Sequence, residues 1–203
     1  MDNIVATVGT RPKDTYYVHW NLGKRCNFDC VYCPDSLHDM SSPHRSLESL
    51  IDISQKIENN ISHPYIRVWF TGGEPTVNPA FLDFCRYLNT RPRFKLGLNS
   101  NATRTTDYYL ELSNYVGSLQ FSSHFDYCKD EEFKEKALAV HNKIGNRFSI
   151  NLMMEPEHWD RATSMVDFCK EHEILHHMKR IRPKGTAYIP PYKQEQIEYI
   201  LRS

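Results

Sequence analysis

The sequence predicts an α/β fold: a partial, open TIM-like barrel of six βα units, (β/α)6. Three observations carry this. Short runs rich in aromatic and β-branched residues alternate six times with longer stretches whose apolar residues recur every three or four positions, the pattern of parallel strands joined by right-handed crossover helices. The chain has 203 residues, whereas a closed eight-unit barrel typically needs ~250. Finally, the two motifs that look chemical both follow strands directly, at the C-terminal ends where such folds place their sites.

Taken in order, Tyr16–Leu22 is the first strand, and it runs straight into a cysteine-bearing loop. From Ser46, a plausible cap, to about Ile61, Leu47, Leu50, Ile51, Ile57 and Ile61 recur at helical spacing. Tyr65–Phe70 is the second strand and leads into Thr71-Gly72-Gly73-Glu74-Pro75. Asn78-Pro79 reads as a cap followed by Pro at the first helical position, with Phe81, Leu82, Cys85 and Leu88 facing inward. The third strand, Phe94–Asn99, precedes Asn101 and a short helix from Asp107 to about Tyr115. Ser118–His124 is the fourth, followed by a charged helix from about Asp130 to Ile144 that Gly145 stops. Arg147–Met154 is the fifth, and Trp159, Ala162, Val166 and Cys169 mark the next helix. His177–Arg182 is the sixth strand, closed by Pro183 and Gly185, and an amphipathic segment from about Gln194 to Leu201 ends the chain. Residues 34–45 form the longest irregular connection. With no repeat or linker to divide it, the chain reads as one domain over 1–203, a core of about 15–185 and a helical tail over 186–203.

Composition narrows the function. Twenty-five Lys and Arg balance 25 Asp and Glu, and the pI is about 7.1. Wrapping bulk nucleic acid calls for a surplus of phosphate-neutralising cations, so that role is excluded. No apolar run approaches the ~18–20 residues of a membrane span, and residues 1–11 are too polar for a secretory signal, so a cytoplasmic protein is expected. In that compartment the six cysteines stay reduced. Cys85 and Cys169 fall on helical inner faces and read as core. Cys128, after the fourth strand, reads as a small packed hydrophobe, with a catalytic thiol as the lesser alternative.

The other three cysteines crowd into Cys26-Asn-Phe-Asp-Cys30-Val-Tyr-Cys33. Three thiolates on one loop suit two kinds of centre. Zinc in a structural site needs a fourth ligand, which His38 or His44 would have to supply. An iron–sulfur cluster held by three protein thiolates keeps one iron open for a small ligand.

The Cys-x3-Cys-x2-Cys loop after the first strand, with Tyr32 before its last cysteine, and Gly72-Gly73-Glu74-Pro75 after the second strand resemble the radical S-adenosylmethionine (radical SAM) enzymes. The resemblance spans about residues 15–185. It implies a [4Fe–4S] cluster on Cys26, Cys30 and Cys33, with S-adenosylmethionine chelating the open iron and cleaved reductively to a 5′-deoxyadenosyl radical. That radical abstracts hydrogen from a small-molecule or peptide substrate, while the protein supplies placement. By the same resemblance Gly72, Gly73 and Glu74 hold the methionine amino group and Tyr32 lies against the adenine. Asn101 and Ser122 stand at positions that contact the cosubstrate. Asn151 is a candidate ribose contact, and Arg182, at the sixth strand's end, a candidate carboxylate contact.

His124, two residues beyond Ser122 on the same strand face, is a candidate substrate contact or proton donor; its bland reading is a hydrogen-bonded core histidine. The basic run from His176 to Lys184 suits either a phosphate or carboxylate or a solvated strand end. Lys24 and Arg25 suit docking of an acidic reductant such as flavodoxin or ferredoxin, or simple solvation. Within the enzyme reading, a glycyl-radical activase and a modified-nucleobase enzyme are further options. Outside it stands a non-catalytic zinc or iron–sulfur module for structure or redox sensing, which leaves Gly72-Gly73-Glu74 without a role.

Overall fold

A computed structural model describes residues 12–182 and 190–201. Six strands alternate with helices: β1 Thr15–Asn21, α1 Leu47–Asn60, β2 Tyr65–Thr71, α2 Phe81–Asn89, β3 Phe94–Ser100, α3 Thr106–Leu112, β4 Ser118–Ser123, α4 Asp130–Ile144, β5 Phe148–Met153, α5 Trp159–Glu171, β6 Leu175–Lys179 and, past the last strand, α6 Gln194–Leu201. The strands form one sheet in chain order β1 to β6, every neighbour parallel. This is the predicted open, partial TIM-like barrel. The C-terminal ends of all strands therefore lie on one rim.

Period-two alternation splits each strand between two environments. Ile66, Val68 and Phe70 of β2, Leu96 and Leu98 of β3, Leu119 and Phe121 of β4, and Phe148, Ile150 and Leu152 of β5 are buried in the main core with the apolar faces of the helices. Phe121 sits edge-on to Tyr109, Phe133 and Phe148, which joins three elements and its own strand through aromatic contacts. The alternate positions form the other face and are more polar; there Gln120 Nε2 donates to Ser149 Oγ at 3.0 Å. Trp69 covers Gly97 so closely that a Cβ there would lie 2.2 Å from the indole ring.

Local chemistry sets the ends of the elements. Ser46 caps α1, its hydroxyl accepting from the Ser49 N–H at 3.3 Å, and Thr105 caps α3 by the same contact to Tyr108. Gly145, at φ +57°, ends α4 in a conformation that an L side chain disfavours.

Two boundaries differ from the sequence expectation. Asn78 does not cap α2. It closes a short 3-10 turn over Pro75–Val77, its Oδ1 accepts from Ala80 N–H at 2.9 Å, and the helix begins only at Phe81. The proline signal was real, but it sits in the turn entering the helix. The sixth strand begins two residues and ends three residues earlier than expected, at Leu175–Lys179, because pairing with β5 runs from Ser149↔Leu175 to Met153↔Lys179 and ends where β5 ends. Arg182 therefore stands three residues beyond the strand. Pro183 and Gly185 lie outside the described residues.

Candidate active site

The loop after β1 is built to hold a fixed shape. Asn21 Oδ1 accepts from Gly23 N–H at 2.9 Å and turns the chain. Arg25 and Asp39 form an isolated parallel bridge, with Cys26 N–H donating to Asp39 O and Asp39 N–H to Lys24 O. A turn from Cys30 O to Cys33 N–H at 2.8 Å brings the last two cysteines onto one side. Phe28 stacks on Tyr127, centroids 4.4 Å apart, and anchors the loop to the segment after β4.

The Gly-Gly-Glu step is packed directly beneath this loop. Gly73 and Glu74 donate backbone N–H bonds to the carbonyls of Gly23 and Arg25, both at 2.9 Å. Gly72 has φ +129°, and a Cβ on Gly73 would lie 2.2 Å from Arg25 O. Only glycine allows that approach. Glu74 is buried, and Oε1 accepts from Thr76 N–H, Thr76 Oγ1 and Ser100 Oγ while Oε2 accepts from Asn101 N–H. Burial pushes its carboxyl above the ordinary range, against the pull of these donors.

Above the rim lies a cavity of about 460 Å³. Cys26, Cys30, Cys33, Tyr32, Gly72, Gly73, Glu74, Asn101, Ser122, His124 and Arg182, all singled out from sequence, line it together. Asn151 does not. It is buried on β5 in register with Ser122 and His177, and among the described residues its Oδ1 has no hydrogen-bond partner. Sequence reasoning missed Phe28, Asn99, Ser100 and Met153 of the lining, while Arg180 falls in the basic run from His176 to Lys184 that it offered as a phosphate or carboxylate contact. Asn99 was findable, being the last residue of the strand as read from sequence; its Oδ1 is likewise buried with no partner among the described residues. Arg180 also lies over the Tyr192 ring at 5.3 Å, a contact across twelve residues that no local signal announces.

All six cysteines are free thiols. Burial raises the Cys26 and Cys33 thiols and pushes Cys30 up to about 12, so metal coordination is what would ionise them. Phe28 N–H already donates to Cys26 Sγ at 3.4 Å. His124 is pushed down to about 4 by burial and is neutral at pH 7.

The donor set fits a cluster and not a single zinc ion. Tetrahedral zinc with Zn–S near 2.3 Å places its sulfurs about 3.8 Å apart. Among the described residues, the trio whose ligand atoms all lie within 4.8 Å of one another is Asp126, Glu155 and His158, and not the three cysteines. Neither histidine that the sequence offers as a fourth ligand is set up for it, although His38 lines the same cavity. Both ring nitrogens of buried His38 are engaged, with Asp29 Oδ1 at 3.0 Å and Pro34 O at 3.3 Å, and His44 lines a separate small cavity behind Gly73. Three thiols around an open space, with the polar residues Asn99 and Ser122 in its lining, suit an iron–sulfur cluster with a polar cosubstrate.

The remaining cysteines lie elsewhere. Cys85 and Cys169 are fully buried core residues. Cys128 lines a different cavity, beside Lys129 and Lys136, and burial pushes its thiol up to about 11. Among the described residues no helix is long and apolar enough to cross a membrane.

Comparison with known proteins gives a consistent picture. The chain is 29% identical over 129 residues to GTP 3′,8-cyclase of Clostridium perfringens, covering 61% of this chain and 40% of that enzyme. It is 31% identical over 94 residues to GTP 3′,8-cyclase of Vibrio parahaemolyticus, covering 46% and 27%. The chain thus spans well under half the length of these relatives. Among solved structures it resembles Streptococcus suis SuiB bound to precursor peptide SuiA, with TM-score 0.69, 16% identity, and coverage of 91% of this chain and 45% of that one. It also resembles anSMEcpe with bound AdoMet, with TM-score 0.60, 15% identity, and coverage of 93% and 56%. Residues 20–168 match the family model of the radical SAM superfamily, enzymes that use a [4Fe–4S] cluster and S-adenosylmethionine and need a reductant and a substrate, and the chain belongs to that superfamily.

Proposed function

We propose that this chain cleaves S-adenosylmethionine reductively and uses the resulting 5′-deoxyadenosyl radical to take a hydrogen atom from a small-molecule or peptide substrate. The observation that carries the reading is the convergence of Cys26, Cys30 and Cys33 with Gly72–Glu74 on one cavity at the C-terminal rim. A [4Fe–4S] cluster held by the three thiolates supplies the electron transfer and the open coordination position for the cosubstrate.

The chain's own residues do the placing. Glu74 Oε1 already accepts three hydrogen bonds but Oε2 only one, so Oε2 keeps an acceptor site for an ammonium group. Tyr32 offers a buried ring for the adenine. Asn99 and Ser122 line the cavity and offer an amide and a hydroxyl for the polar groups of a nucleoside. Arg180 and Arg182 at the rim set cations against Glu74, the one carboxylate among the described lining residues, and favour a carboxylate or phosphate on the cosubstrate or substrate. A nucleotide substrate accords with the GTP 3′,8-cyclase relatives and a peptide with SuiB, and the rim suits an anionic group on either. A reductant such as flavodoxin or ferredoxin completes the reaction.

The test is anaerobic reconstitution with iron and sulfide, then incubation with dithionite and S-adenosylmethionine. Wild-type protein should bind about four iron per chain and release 5′-deoxyadenosine, and Cys30→Ala should abolish the nucleoside. Stoichiometric zinc with no cluster, or equal nucleoside from the variant, overturns the reading.

A further inference from the structure

Between the cysteine loop and the end of β4, one ring nitrogen serves two neighbours. His124 Nδ1 lies 3.4 Å from Cys30 Sγ and 2.7 Å from Tyr32 Oη. Tyr32 Oη in turn lies 3.4 Å from Oε1 of buried Glu155. The imidazole is held in place on two sides. It stacks on the Tyr32 ring, centroids 6.1 Å apart at 13°, and meets Phe28 edge-on at 5.8 Å.

With Glu155 ionised, both ends of the chain of contacts are acceptors, a thiolate sulfur when Cys30 binds metal and the Glu155 carboxylate, and one direction of donation then satisfies every contact. If Nδ1 carries the proton, that one N–H is shared between Tyr32 Oη at 2.7 Å and Cys30 Sγ at 3.4 Å, and the tyrosine hydroxyl is left to donate to Glu155. The opposite tautomer turns a nitrogen lone pair toward the thiolate and takes the Tyr32 hydrogen away from Glu155. Glu155 thus selects the tautomer through Tyr32.

We propose that His124 is a positioning residue for the cluster ligand Cys30, its Nδ1–H donating to the thiolate sulfur and raising the reduction potential of the centre held there. The inference rests on the proposed role of Cys26, Cys30 and Cys33. Its physical basis is that a donor to a ligating sulfur stabilises the more negative, reduced cluster. Tyr32 and Glu155 act through His124.

The test is a potentiometric titration of the anaerobically reconstituted full chain, followed by the electron paramagnetic resonance signal of the reduced cluster. His124→Phe keeps an aromatic ring against Tyr32 and Phe28 but has no donor. His124→Asn places an N–H near the position of Nδ1. The Phe variant should keep the wild-type iron content, while the reduced-to-oxidised ratio at a fixed potential falls about tenfold, equivalent to about 59 mV for a one-electron couple. The Asn variant should return the ratio toward wild type. Full iron with an unchanged midpoint in the Phe variant, or an Asn variant no closer to wild type than Phe, overturns the hydrogen bond and leaves the enzyme reading standing. Failure of wild-type protein to take up iron overturns the cysteine assignment and this inference with it.

Discussion

Glu74 Oε2 accepts the backbone N–H of Asn101 at 2.6 Å, so the carboxylate just beyond β2 clamps the turn that leaves β3. Its other oxygen takes Ser100 Oγ at 2.9 Å and both donors of Thr76. The residue read from sequence as a ligand contact is therefore also the link between two adjacent strand ends. Both roles use the same charge, because a carboxylate can accept more bonds than any neutral side chain of its size.

Replacing Glu74 with Gln turns one acceptor into a donor and sets it against buried N–H or O–H groups. The expected cost is about 1–3 kcal/mol, read by denaturant unfolding. At temperatures where the variant stays folded, its iron content should match wild type while the apparent KM for S-adenosylmethionine rises. Unchanged stability and KM would remove both roles.

Gly73→Ala places a methyl 2.2 Å from Arg25 O and 2.3 Å from Lys24 O, both backbone atoms of the cysteine loop. The loop must move, so the variant should lose most of its iron after reconstitution while far-ultraviolet circular dichroism stays near wild type. Gly97→Ala clashes with the Trp69 side chain instead and should cost stability while leaving the iron content alone.

Phe121 anchors the aromatic cluster, 4.7 Å from Tyr109 and 4.9 Å from Phe148, and is fully buried. Phe121→Ala should destabilise the fold by about 3–5 kcal/mol, seen as a lower urea midpoint at unchanged slope. A smaller loss would mean that the helices close over the space.

Glu155 gives a pH dependence. Burial, helped by the Asp126 charge, raises its carboxyl from 4.5 to about 7. Because the folded value is the higher one, its contribution to stability is complete below pH 4.5 and is lost as the pH climbs through 7. Glu155→Gln escapes that loss. Its stability relative to wild type should rise by about 3 kcal/mol between those limits and then level off. A difference that stays flat with pH would show that Glu155 is not strained by burial.

The sequence by itself determined the six βα units, their parallel order and the two motifs on one rim. Strand periodicity, caps and glycines are local, and Leu50, Phe81 and Leu88 state their burial through spacing alone. It also showed which thiols go together, because Cys26, Cys30 and Cys33 are close along the chain. Only the tertiary structure decided that β6 ends before Arg182, since the register is set by pairing with β5, and that Asn78 closes a turn ahead of α2. Only it showed that His38 is committed to Asp29 and Pro34, that Arg180 reaches the cavity, and that His124 meets Cys30 across 94 residues of chain. Such contacts depend on where strand ends converge in space, and the sequence pattern of each strand carries no record of its neighbour's side chains.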